Sequence, residues 1–380
     1  MKKISLIACG LLLGSTMAFG ADSIESAFKE GKVSGSLGLY GEKHDKGNDI
    51  KDSGFGNGNV TVDYETAEFK GLTAKAEFKG NLGLGEVEKD DRRDGAPFNN
   101  NALMTEAYIK YTNSAFFVSA GRQAIDLEWL SDYNEAVVAG ITAVPDTTIV
   151  VGYTNRKAES GLDKSEDFHE VTKKGAYVLD VKYTGLKSVE FNPYYYSAPD
   201  VLDFYGLKTT FKADMFGAIA HYAATNADSK FIVDTNNDGI VDTQIKDGSI
   251  AHFELNTTIK DLTATVGYIK TDKDYGVAGM DSYGDNINPF DAGNHVYSAD
   301  AKTPYAKVGY TIAGVELGAL YGETTYESKD YKEKELNLTV GHSFTDSLKA
   351  SILYADVSAD SADTSAYDDK YVFAKVEYKF

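Results

Sequence analysis

Three features of this 380-residue chain predict an all-β fold, a transmembrane antiparallel β-barrel of about eighteen strands with short periplasmic turns and long extracellular loops. Segments of about ten residues alternate apolar and polar side chains, the period of a strand with two unlike faces. Their connections alternate short and long. The chain ends on Phe380, inside the clearest alternating segment of all.

Composition supports one domain and narrows its class. There are 38 Lys+Arg against 58 Asp+Glu, a net charge of -20, and the 26 Tyr, 19 Phe and 36 Gly are spread without a linker. The only long apolar run is Ile4 to Phe19, so a bundle of spanning helices, each needing about 20 apolar residues, is excluded. So acidic a chain repels phosphate, which argues against nucleic acid as a partner. Regularly spaced aromatic and β-branched residues argue against disorder.

The first 20 residues read as a signal peptide. Lys2 and Lys3 precede ISLIACGLLLGSTMAF, and Ala18-Phe19-Gly20 offers small residues for cleavage after Gly20. A lipoprotein cut at Cys9 would strand Leu11 to Leu13 at the new terminus, and an anchor would need a longer run. Cleavage removes the only cysteine, which suits an oxidising Gram-negative envelope, and leaves 21–380 as a single barrel domain.

The alternation places strands near 33–42, 57–66, 72–80, 103–112, 115–123, 136–143, 147–155, 176–184 and 188–197, then 202–213, 216–225, 249–260, 262–270, 303–312, 315–325, 332–343, 347–356 and 370–380. In the last, Val372, Ala374, Val376, Tyr378 and Phe380 share one face; Tyr371, Phe373, Lys375, Glu377 and Lys379 share the other. Leu262, Ala264, Val266 and Tyr268 repeat the pattern, as do Phe216, Ala218, Ala220 and Tyr222. Weak alternation at 57–66 and 136–143 leaves sixteen strands as an alternative.

Short connections fall at Lys70-Gly71, Pro145-Asp146, Lys260-Asp261, Ala313-Gly314 and their like; long polar ones span Gly80 to Ala102, Arg156 to Gly175, Ala227 to Ser249 and Thr271 to Thr303. Both termini then lie on the short-turn side. A soluble sandwich has no reason to repeat that pairing, whereas a closed barrel in lipid does, because closure satisfies every backbone group. At this strand number the barrel is too wide for wall side chains to fill, so a water channel follows.

The ending YVFAKVEYKF, with Val376, Tyr378 and Phe380 at alternate positions, resembles the C-terminal signal recognised by barrel-assembly machinery. The stretch AGRQAIDLEWLSDYNEAVVAGITAVPDTTIVVGYTN, Ala120 to Asn155, and the opening SIESAFKEGKVSGSLGLY, Ser23 to Tyr40, resemble the epsilonproteobacterial major outer-membrane porins, general-diffusion channels of OprD-like type. That resemblance implies a homotrimer in outer-membrane lipid and lipopolysaccharide, passing small hydrophilic solutes and ions. It also implies a third outward loop folded into the lumen as a constriction.

By position that loop is 123–135. Asp126, Glu128, Asp132 and Glu135 would supply negative charge there, and Trp129 and Tyr133 would pin the loop to the wall. Acidic rings favour cations. Arg122, where strand and loop meet, is the best candidate for a basic lumen residue; Lys110, Lys182 and Lys307 would have to supply the rest. With few opposing bases the expectation is weak cation selectivity, since physiological salt screens charge over about 8 Å.

Asp234, Asn236, Asp238, Ile240 and Asp242 reproduce the first part of a calcium loop, with Gly239 at the sharp turn. Ile245 replaces the expected bidentate acid, and Asn, Asp and Gly also favour turns without metal. Calcium is thus a candidate ligand of the 234–242 loop, and no cofactor is required.

No nucleophile, base and orienting group come together in the sequence, so no enzyme is expected. His221 and His252 fall on lumen registers of neighbouring hairpins and read as polar lining of a wet channel. An outer-membrane hydrolase built on that pair is the enzyme alternative. Tyr194-Tyr195-Tyr196 suggests a substrate-specific channel or adhesin, but alternation allows only Tyr194 and Tyr196 to share the lumen, and an interfacial aromatic girdle is the simpler account.

Overall fold

The computed structural model describes residues 20–47, 51–94, 98–229, 231–233, 243–293, 295–327, 331–360 and 368–380. The signal peptide reading of 1–20 lies outside them apart from Gly20. Eighteen spanning strands form the wall: β1 Lys32–Lys46, β2 Ser53–Glu65, β3 Leu72–Glu86, β4 Ala102–Thr112, β5 Phe116–Ala124, β6 Tyr133–Ile141, β7 Thr147–Ala158, β8 Ala176–Leu186 and β9 Val189–Ala198. The second half continues with β10 Leu202–Lys212, β11 Phe216–Ala227, β12 Ser249–Ile259, β13 Leu262–Thr271, β14 Lys302–Ile312, β15 Val315–Tyr326, β16 Tyr331–Ser343, β17 Leu348–Ala359 and β18 Asp369–Lys379.

Each strand pairs antiparallel with its sequence neighbours, and β18 closes the cylinder on β1 in a register from Ser36↔Lys379 to Lys46↔Asp369. The sixteen-strand alternative fails, because the weak segments are both strands: β2 pairs with β1 and β3, and β6 with β5 and β7.

Strands on the outward side run further than the alternation suggested. The loop expected from Gly80 begins only after Glu86, and that expected from Arg156 begins after Ala158. Gly80, Gly83 and Gly85 thin the pattern in β3 while the backbone ladder continues. One outward connection, 199–201, is as tight as a turn on the opposite rim. On the short-turn side, Lys70 (φ 52°) and Gly71 (φ 85°), like Ala313 (φ 51°) and Gly314 (φ 79°), hold two successive left-handed residues. That is the two-residue hairpin whose twist matches its flanking strands. A short helix, α1 Ile24–Lys29, was not expected; Ser23 and Ser26 cap it reciprocally, and it rests on this rim where the Ala67 N–H donates to the Ala27 carbonyl at 3.0 Å.

The two faces separate as alternation requires. Leu37, Leu39, Val60, Val62, Ile352 and Val376 are exposed on the outside, with Tyr177, Tyr195, Tyr205 and Tyr222 among the aromatics there. The inner face holds Asn57, Asn59, Thr61, Lys79 and Asn192, all buried. The lumen is not simply wet, however. Trp129, Leu130, Tyr194, Tyr196, Phe204 and Ile250 pack with Met280, Ile287 and Val296 into an apolar cluster inside the cylinder. Two connections supply it, the 125–132 segment and the long 272–301 segment, which was expected to be an outward polar loop and is folded inward instead.

Candidate pore and constriction

The segment between β5 and β6 is a tight inward excursion closed by the Leu127–Leu130 bridge. Trp129 is fully buried, and its indole N–H donates to the Tyr194 hydroxyl on β9 at 2.8 Å. Tyr194 in turn meets His221 Nε2 on β11 at 2.8 Å. Glu128 accepts from Lys208 Nζ on β10 at 2.8 Å and lies 3.5 Å from His221 Nδ1. Burial alone would raise the Glu128 carboxyl, yet Lys208 foremost outweighs it and holds the group below its ordinary range.

Asp132, held at φ 65°, pairs with Lys157 at 3.4 Å, and Lys157 also donates to the Tyr283 carbonyl at 3.1 Å. One buried ammonium therefore ties the 125–132 segment to the 272–301 segment. Asn286 Nδ2 adds bonds to the Leu127 and Glu128 carbonyls at 3.0 and 3.2 Å. Tyr133 reaches the opposite side, donating to Glu77 at 3.1 Å with Lys79 over its ring. Asp126 is half-buried at the start of the excursion.

The two charged residues expected at the ends of the loop pair with each other. β5 runs to Ala124; Ser119 and Gln123 hydrogen-bond each other at 2.5 Å, while Arg122, on the opposite face of the strand, donates to the Met104 carbonyl at 3.1 Å. Its partner across the ladder is Glu135, on the same face of β6 as Tyr133, which reaches Glu77 and Lys79 on β3. Glu135 accepts from Arg122 at 2.9 Å and lies 3.6 Å from Arg156, while the Arg122 guanidinium covers the Phe168 ring. This cluster is a clasp at the outward end of the wall.

The histidines require a correction. His221 and His252 are directly paired across β11 and β12, but both are buried, bonded to Tyr194 and Tyr305 (2.9 Å). They are not wet lining. The tyrosine triplet splits as alternation dictates: Tyr195 is exposed outside, whereas Tyr194 and Tyr196 are buried within, and the girdle account covers Tyr195 alone.

Several residues that shape the interior were not singled out from sequence. Glu335 on β16 accepts the backbone N–H groups of Asp291 and Ala292, each at 3.0 Å, and of Gly293. Glu333 accepts from His295 Nδ1 at 2.6 Å, and Asn337 donates to Asp291 at 2.8 Å. Both acids lie on lumen registers beside the longest connection, which was the one available signal.

Across from this packed region, a cavity of about 360 Å³ lies against β1–β3, β17 and β18. Three carboxylates (Asp163, Asp291, Glu377) and two lysines (Lys79, Lys375) line it, with Tyr40, Asn59 and Thr61. The calcium-like stretch 234–242 falls outside the described residues; Ile232–Val233 and Thr243–Gln244, which flank it, pair with each other. Val376, Tyr378 and Phe380 all face outward on the closing strand, and Phe380 exchanges backbone bonds with Gly35 at 3.1 Å.

Residues 29–215 match the protein family described as "Putative outer membrane protein". Among solved structures, OccAB1 of Acinetobacter baumannii is similar over 94% of this chain and 98% of its own, at TM-score 0.79 and 14% identity. OccAB4 of the same organism gives 0.73 and 17% over 92% and 98%. OccK8 (OprE) of Pseudomonas aeruginosa gives 0.74 and 13% over 93% and 99%. No curated protein sequence matches the chain. Closed wall, oily exterior and these likenesses together define an outer-membrane protein with the Occ-type porin fold.

Proposed function

We propose that the protein is a passive channel for small hydrophilic solutes and ions, weakly selective for cations, of the epsilonproteobacterial general-diffusion type. The supporting observation is the polar cavity left inside the closed wall, where carboxylates outnumber lysines three to two. The 125–132 segment narrows the lumen mainly by its bulk, because Glu128 and Asp132 are compensated by Lys208 and Lys157. No catalytic step is part of this reading; His221 and His252 serve as tyrosine partners. Reconstitution into a planar bilayer tests it. Step-like conductance is expected, and current reversal in a salt gradient should report a modest cation preference. Absence of steps removes the pore, and anion preference removes the selectivity.

Three assembly features belong to the same proposal. The barrel acts as a homotrimer among lipopolysaccharide, checked by cross-linking in membranes. Val376, Tyr378 and Phe380 guide insertion by the assembly machinery, consistent with their outward row on β18. Calcium, if bound at 234–242, pins that outward loop, and the Ile232–Val233 ladder with Thr243–Gln244 would hold the ends of the stretch together.

A further inference from the structure

The connection between β7 and β8 leaves the outward rim, yet its tip Gly161-Leu162-Asp163 lines the open cavity. Side chains of the wall hold it there. Lys79 Nζ donates to the Ser160 carbonyl at 3.1 Å, and Asn57 Nδ2 to the Leu162 carbonyl at 3.0 Å. At the tip's base Lys164 pairs with Glu159 at 2.5 Å, and Ser165 Oγ donates to Asn100 at 2.9 Å. The Leu162 side chain occupies space that β1 leaves by having no side chain at Gly38: a Cβ there would lie 2.4 Å from Leu162 Cδ2. Wall and tip are therefore fitted to each other. Real Cβ atoms do not approach so closely, so the leucine must move if position 38 gains a methyl.

We propose that this tip is the size and charge filter of the pore, a role that rests on the channel reading above. Leu162 sets the free width along β1–β3, and Asp163 presents the carboxylate that permeating ions meet, facing a cavity shared with Asp291 and Lys375. The acids of the 125–132 segment do not compete for this role. Glu128 and Asp132 face lysines on the far side, and Glu135 is compensated by Arg122 and Arg156. A full carboxylate in a narrow, low-dielectric passage acts on ions more strongly than a compensated pair does.

Single-channel recording of the full-length protein in planar bilayers tests the filter. Leu162→Ala should raise the conductance, and Asp163→Lys should shift the reversal potential toward anions; Glu25→Gln, on the exposed helix α1, should leave the reversal potential in place. If Asp163→Lys fails to assemble, Asp163→Asn carries the same test with a smaller shift. Gly38→Ala alone should change the conductance by displacing the leucine, and that change should vanish in the Gly38→Ala, Leu162→Ala double variant. A conducting wild type whose current is unmoved by Leu162→Ala and either Asp163 substitution overturns the filter alone. A wild type without steps overturns the pore and the filter together.

Discussion

The two sides of the lumen are built on the same wall and used differently. Along β8–β14 the inner face is covered by residues 125–132 and 272–301, which bury Trp129, Met280, Ile287 and Val296 against Tyr194, Tyr196 and Phe204. Along β1–β3 and β17–β18 the inner face, with Asn59, Thr61, Lys79 and Lys375 beside Leu353 and Phe373, borders open space, and the 161–163 tip and Asp291 reach into it. A wall of eighteen strands fixes the diameter, not the pore. What decides the pore is how much of the cylinder its connections refill with a dry core, and where that core stops.

The largest effect should come from dissolving the packed side. Trp129→Ala removes a fully buried indole and the hydrogen bond to Tyr194, which costs roughly 3–5 kcal/mol by the usual penalty for truncating a buried aromatic. The barrel wall should survive, since its ladder is untouched. Expected outcomes are a lower temperature for the heat-induced shift in gel mobility and a larger, noisier conductance. An unchanged conductance would mean that the packed side is held open or shut by something other than this anchor.

A smaller effect should follow from loosening the 272–301 segment where it reaches the open side. Glu335 is almost fully buried and gathers three consecutive backbone N–H groups at 291–293. Glu335→Ala leaves those donors without their acceptor, at roughly 1–3 kcal/mol for each one that stays buried. External protease on intact cells should then cut within 272–301 faster than in the wild type, and Glu335→Gln, which keeps one acceptor oxygen, should fall between. Equal cutting in all three would show that the turn at 291–293 is fixed by Asn337 and the Glu333–His295 pair without Glu335.

The wall was legible because lipid and water impose a period of two on every strand, and the glycine-bearing turns punctuate it. All eighteen predicted segments overlap strands, down to the outward row of Val376, Tyr378 and Phe380. The filling was not legible. Val277, Met280, Tyr283, Ile287 and Val296 are scattered through a polar stretch without period, and what they pack against comes largely from β9–β11 and Trp129, far away in sequence. Trp129 stood out by its type alone; its partner Tyr194 was hidden in a triplet that alternation could divide but not assign. The ion pairs failed for another reason. Asp132 and Glu128 read as a cation-attracting ring until Lys157 and Lys208 are placed beside them, and nothing local in the sequence does that.

Arg122 gives the smallest expected effect and checks whether its charge is neutralised. β5 runs to Ala124 with Gln123 against Ser119, and Arg122 pairs across the ladder with Glu135, which neutralises it. Arg122→Gln should therefore leave reversal potential and conductance where they are. Its loss of stability should be modest, roughly 1 kcal/mol, because the pair with Glu135 is partly solvated and Arg156 remains near the same carboxylate. Lys375→Gln, on the lumen register of the closing strand, should by contrast shift the reversal potential further toward cations. If Arg122→Gln moved the reversal potential as much as Lys375→Gln, the guanidinium would have to act on the water path in spite of its clasp with Glu135 and Phe168.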